Sequence, residues 1–142
     1  METEIIIKKL EIYAILDIET TGGKYNEEGI TEIAIYKHDG KAIIDQFISL
    51  VNPKRPVQPY VVNLTGISNK MLRSAPKFFE VAKRIVEITE DCVLVAHNAK
   101  FDRAFIDKYI DVKAVWACSQ KDINWMDRGF FKIGLEMLCT WH

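Results

Sequence analysis

The sequence predicts a mixed α/β fold, and three observations carry that prediction. Three strand-like runs fill the first third of the chain, an amphipathic helix comes after them, and a further apolar strand then leads directly into another helix. With 142 residues, 49% of them hydrophobic and 11% aromatic, the chain is long enough for one ordinary core and too short for two. A single domain over residues 1–142 is therefore expected.

The first strand is read from about Glu11 to Ile18, opening on the apolar run EIYAIL. The second and third, Ile30 to His38 and Ala42 to Val51, are joined by the turn HDG, which makes an antiparallel meander. A polar loop, GGKYNEEG from Gly22 to Gly29, separates the first two. Next comes NPKRPVQPYVVNLTGISNKML, whose three prolines forbid a long helix before Asn63; it reads as an irregular surface segment with room for a short helix at its end.

From Ser74 the pattern turns helical. Ser74 offers a cap, a proline comes early, and Phe78, Val81, Ala82, Ile85 and Val86 make one apolar stripe. Cys92 to Ala96 is the next strand, and HNAKFDRAFIDKYI, His97 to Ile110, starts a helix directly off it. A short strand, Val112 to Ala117, and helices near Gln120 to Asp127 and Ile133 to Trp141 complete the order, with no repeat or linker between them.

Lys+Arg 19 against Asp+Glu 20 leaves a formal charge of -1, which excludes the global basic field of many non-specific nucleic-acid binders. Any nucleic-acid partner must be held locally. Lys54 and Arg55 are candidates for a phosphate, although a surface loop accounts for them equally. Cys92, Cys118 and Cys139 form no CxxC pair and read as reduced thiols, core or incidental. The N-terminal METEIIIKKL has the wrong order and length for a signal peptide and no run approaches a membrane span, so a cytoplasmic protein is expected.

The stretch LDIETTG is the point of chemical interest. In an extended backbone Asp17 and Glu19 share one face, where two carboxylates repel unless a cation or solvent separates them. Mg2+ or Mn2+ would relieve that repulsion, because hard divalent ions seek carboxylate oxygens; an exposed strand end with both acids solvated is the plainer alternative. Two features favour the metal. Thr20, Thr21 and Gly22 come straight after the acids, hydroxyls and a glycine that let backbone approach a phosphate or sugar, and Asp102 lies one turn into the helix that leaves a second strand.

Asp17-Ile18-Glu19-Thr20-Thr21-Gly22 resembles the first motif of the DnaQ-like 3'-5' exonucleases, the DEDD family that includes the proofreading subunit of bacterial DNA polymerase III. His97-Asn98-Ala99-Lys100-Phe101-Asp102 resembles the second, and ITEIAIY and LTGISNKML between them are similar to the family's second strand and its terminal-nucleotide segment. The resemblance spans about Tyr13 to Ile110. It implies a ribonuclease H-like mixed sheet, antiparallel meander then parallel strands, with flanking helices. It also implies hydrolysis of the last phosphodiester at a single-stranded 3' end by two cations about 3.5 to 4 Å apart. On that likeness Asp17 bridges the metals, Glu19 holds one and orients the water, and Asp102 completes the cage directly or through water. Thr20, Thr21, Gly22, Thr65, Gly66, Asn98 and Phe101 line the terminal nucleotide, Phe101 offering a stacking face.

The family's third motif, H-x4-D or Y-x3-D, is not found after Asp102. His142 has nothing after it, so the domain is expected to be C-terminally incomplete, lacking the final motif-bearing helix, and weak or inactive as a nuclease. Asp122, Asp127 and Glu136 are the acids available as replacements, each read as a solvated helix charge. Trp116, Trp125 and Trp141 are read as core, and His38 as exposed in its turn. The leading function is a metal-dependent 3'-5' exonuclease acting on DNA in repair or proofreading, with a polymerase or replication partner. RNA trimming, a non-catalytic nucleic-acid or polymerase-binding module of the same fold, and hydrolysis of small nucleotides are the alternatives.

Overall fold

A computed structural model describes residues 12–123. Five strands form one sheet: β1 Tyr13–Thr20, β2 Ile30–His38, β3 Ile43–Leu50, β4 Val93–Ala96 and β5 Val115–Cys118, in the order β3-β2-β1-β4-β5. β1, β2 and β3 pair antiparallel, whereas β4 lies parallel to β1 and β5 parallel to β4. The mixed sheet expected from the sequence is thus present, with four helices in the connections: α1 Pro59–Thr65, α2 Asn69–Arg73, α3 Phe78–Thr89 and α4 Ala99–Ile106.

Strand alternation sorts β1 into two faces. Ala14, Leu16, Ile18 and Thr20 are buried, while Tyr13, Ile15 and Asp17 on the other face are exposed. The buried face meets Ile33 and Ile35 of β2, Leu94 of β4, Val81 and Ile85 of α3, and Phe105 and Ile106 of α4 in one core. Trp116 packs against this core, as expected. Cys92 is buried, Cys118 half-buried, and both are free thiols.

Several boundaries differ from the sequence reading, each for a local reason. β1 continues through Thr20, because Glu19 and Thr20 still pair with Glu32 and Ile30 across a bulge. α3 starts at Phe78, not near Ser74: the bridge between Asn52 and Lys77 and the bond from Asn52 N–H to Pro76 O hold that stretch extended. Lys77 caps α3, donating its N–H to Glu80 Oε2 at 2.8 Å, and Ser74 instead closes α2. α4 ends at Ile106, and β5 begins at Val115 after Ala114 N–H turns back to Val112 O. Residues 120–123 form a turn, not a helix. His38 is half-buried, its Nδ1 accepting from Gly40 N–H.

The largest difference concerns residues 52–77, expected to be irregular. The two ends of this excursion are tied together at Asn52 and Lys77, and Val57, Val61, Ile67 and Leu72 form a second small core inside it. Pro59 does not block helix formation because it occupies the first turn of α1, where its missing N–H has no partner to lose. Asn69 clamps the excursion by accepting from Val57 N–H at 2.8 Å and donating to Val57 O at 3.1 Å. Glu11, Trp125, Asp127, Glu136, Cys139, Trp141, His142 and the helix read at 133–141 lie outside the described residues. Among the described residues no helix is long and apolar enough to cross a membrane.

Candidate active site

Parallel pairing of β1 with β4 sends both strands toward the same edge of the sheet, so the segments leaving their C-terminal ends stand side by side. Asp17 and Glu19 lie in the second half of β1, and β4 ends three residues before α4 begins. The junction bends at Asn98, which adopts the left-handed conformation (φ 62, ψ 55) that asparagine tolerates better than most residues. α4 then buries Ala99, Asp102, Phe105 and Ile106 along one stripe. Asp102 is the anomaly, a carboxylate at a core position.

Asp102 is 2% exposed, and its Oδ1 is buried without a hydrogen-bond partner among the described residues. Burial pushes its pKa up to about 7, the nearby Asp17 and Glu19 carboxylates push in the same direction, and the backbone N–H of Ile18 offsets part of the effect. The Ile18 N–H also lowers the pKa of Asp17. Asp17 is an exposed residue whose carboxyl is nevertheless partly desolvated; its pKa is raised by burial and drawn back by the Ile18 amide and by His97. Glu19 is likewise raised, by burial first and then by Asp17 and Glu32.

Glu32 is a fourth carboxylate that sequence reasoning missed. It is the direct cross-strand partner of Glu19, a pairing that only the β1–β2 register reveals and that the sequence does not signal. His97 is half-buried, its Nδ1 3.0 Å from Ser119 Oγ. Asp122 does not join the group: it is exposed, and its Oδ2 accepts from Cys118 N–H at 2.7 Å.

The remaining candidates divide into two sets. Asn98 and Phe101 line one cavity of about 260 Å3 together with Gly23, Tyr25, Lys100 and Ala104. Tyr25, Lys100 and Gly23 were not singled out from the sequence; the loop that carries Tyr25 read only as polar. Thr20 and Thr21 are buried and use their hydroxyls in holding that loop: Thr20 Oγ1 donates to Gly22 O at 2.7 Å, and Thr21 Oγ1 donates to Glu28 and accepts from Gly29 N–H at 3.0 Å. A Cβ at Gly22 would meet Glu28 Cδ at 2.9 Å, so a larger residue there would displace the Glu28 side chain that Thr21 bonds.

Thr65 and Gly66 serve the end of α1, away from the lining of that cavity. Thr65 Oγ1 donates to Val61 O at 2.9 Å, and Gly66 takes the left-handed conformation (φ 74) that closes the helix on Val62 O.

As an oxygen-donor set, Asp17, Glu19 and Asp102 suit a hard divalent cation: the acceptors are carboxylates, one oxygen is buried and unpartnered, and their mutual repulsion is what a cation removes. Among the described residues no three Asp, Glu, His or Cys side chains stand close enough to form a finished cage. The fit is therefore one of donor chemistry and neighbourhood.

Residues 14–134 match the RNase_T family model, described as an exonuclease. DNA polymerase III PolC-type from Bacillus cereus is 43% identical over 97 residues, covering 68% of this chain and 7% of the relative. The 3'-5' exonuclease DinG of Staphylococcus aureus is 38% identical over 96 residues, covering 68% of this chain and 11% of the relative. The chain thus spans a small part of the length of either. Among solved structures, exonuclease X in complex with 5' overhanging duplex DNA superposes with a TM-score of 0.74 at 27% identity, covering 90% of this chain and 71% of that one.

Proposed function

The chain belongs to the RNase_T exonuclease family, and from that premise we propose that it removes nucleotides from a single-stranded 3' end of DNA with the help of divalent cations held by Asp17, Glu19 and Asp102. The observation that carries the reading is Asp102, buried in an otherwise apolar stripe with an orphaned Oδ1, electrostatically coupled to Asp17 and Glu19. A group so unfavourable to folding has a use only if something later compensates it.

Bound Mg2+ or Mn2+ would activate the attacking water and stabilise the leaving oxygen. The chain's own residues do the rest. Asp17 and Asp102 present carboxyl oxygens whose charges act on one another, and Glu19 stands further along β1 to orient the water. Phe101 and Tyr25 wall the cavity that receives the terminal base, Asn98 supplies an amide in its lining, and Lys100 supplies a cation for the phosphate. Thr20, Thr21 and Gly22 act through the loop they brace, and Thr65 and Gly66 through the end of α1.

Because H-x4-D and Y-x3-D are both missing after Asp102, the 142-residue chain is expected to turn over about 10²- to 10⁴-fold more slowly than a relative carrying all four side chains. The test is release of mononucleotides from a 3'-labelled oligonucleotide in Mn2+, run beside thermal unfolding with and without the ion. Slow release together with stabilisation by Mn2+ supports the reading. No release and no stabilisation would make the chain a non-catalytic module of this fold. Matched DNA and RNA oligonucleotides in the same assay decide the sugar preference.

A further inference from the structure

Residues 46–79 contain Lys54, Arg55, Lys70, Arg73 and Lys77 and not one Asp or Glu, in a chain whose formal charge is -1. The fold gathers four of these cations. One cavity of about 240 Å3 is lined by Ile30, Lys54, Lys77, Phe79 and Tyr109 among others, and a second of about 420 Å3 by Lys54, Arg55 and Arg73. The two share Asn52 and Lys54 and therefore adjoin; together they form the basic cleft, and no acidic side chain lines either part. Among the described residues none of these four cations is paired with a carboxylate.

Aromatic surface accompanies the charge. Phe79 is 71% exposed and Tyr109 42% exposed, and the Tyr109 ring is fixed by stacking on Phe78 with centroids 4.3 Å apart. Lys108 lines neither cavity but stands beside the Tyr109 ring, its Nζ 5.5 Å from the centroid and donating to Glu28 O. The cleft also begins beside the candidate active site, since Ile30 at its wall is the pairing partner of Thr20 at the end of β1.

Unpaired cations along a groove with rigid exposed rings are the features that bind a single-stranded polynucleotide, the charges tracking phosphates and the rings receiving bases. We propose that the cleft from Ile30 across Lys54 and Arg55 to Arg73 is a track for the backbone of a single strand, separate from the cavity that takes its terminal nucleotide. That the strand's 3' end lies at the carboxylates rests on the exonuclease reading; the affinity of the track for polynucleotide does not.

The test uses a triple variant, Lys54→Asn with Arg73→Ala and Lys77→Ala, asparagine being chosen because Lys54 has φ 55. All three side chains are exposed, and Lys83→Ala on the solvent side of α3 serves as the control. Binding of a labelled 20-nucleotide strand is measured in EDTA over a range of salt. The expected result is affinity at least about 10-fold lower and a log K against log salt slope shallower by about 2 for the triple variant, with the control unchanged. Equal affinity and slope in the triple variant and the parent overturn the track, and an equal loss on a blunt duplex overturns its assignment to a single strand. Where turnover is measurable, the ratio of kcat/KM for the long strand to that for a dinucleotide falls in the triple variant. If neither turnover nor stabilisation by Mn2+ is found but binding behaves as expected, the exonuclease reading fails and the track stands.

Discussion

The edge of the sheet and the excursion at residues 52–77 are built on opposite principles. At the edge, Asp17, Glu19, Glu32 and Asp102 crowd like charges together, and Asp102 sits in the core stripe of α4 where a leucine would be more stable. The excursion keeps its five cations outside and buries Val57, Val61, Ile67 and Leu72 in a small core while Tyr60, Leu64 and Met71 stay exposed, closes its ends at Asn52 and Lys77, and clamps its middle through Asn69. One region crowds like charges at the cost of folding stability; the other carries its charges with no acidic residue among them. The comparison teaches that acidic and basic clusters can be separated within a nearly neutral chain, invisible to its net charge.

That contrast can be broken most sharply at Asp17. Asp17→Asn is expected to lower mononucleotide release by at least about 10²-fold, read as initial rate in Mn2+, with little change in stability. The next effect is on stability and runs the other way. Asp102 has a folded pKa of about 7, raised from an ordinary carboxyl, so its contribution is fully present below about pH 4 and is lost as pH rises through 7. Asp102→Asn should therefore stabilise the protein on the order of 2 to 4 kcal/mol at pH 8 while changing little at pH 4. Urea unfolding at the two pH values checks this, and equal stability of the variant and parent at pH 8 would remove the supposed conflict.

In the excursion the expected sign is ordinary. Asn69→Ala deletes both bonds to Val57 and should destabilise by about 1 to 2 kcal/mol, appearing as faster proteolysis within residues 52–77 while the pH dependence set by Asp102 persists. The smallest effect is at Glu32: Glu32→Gln removes the like charge opposite Glu19 and should stabilise by about 0.5 kcal/mol at neutral pH, again by urea unfolding.

Much of this was legible in the sequence. The three strands of the meander, the apolar stripe of α3 and the strand leading into α4 each announce themselves by period, because local burial imposes it. Asp17, Glu19 and Asp102 were visible as acids out of place. Glu32 was not, because its meaning lies in the β1–β2 register, and ITEIAIY alone gives no register. Thr20 and Thr21 illustrate the reverse: their spacing after the acids offered hydroxyls to a ligand, and the fold turned those hydroxyls into the loop of residues 22–29. The excursion was read as irregular because prolines argue against long helices, yet short helices with a proline in the first turn escape that argument.

By itself the sequence determined the kind of fold and the family, since periodic burial and two short motifs are properties of neighbouring residues. Tertiary structure alone decided that Asp102 feels the charges of Asp17 and Glu19 from another element, that Glu32 faces Glu19, and that Lys54, Arg55, Arg73 and Lys77 line two adjoining cavities. The physical reason is distance: charge acts through space over a few ångströms, and only the folded chain fixes which distant residues come that close.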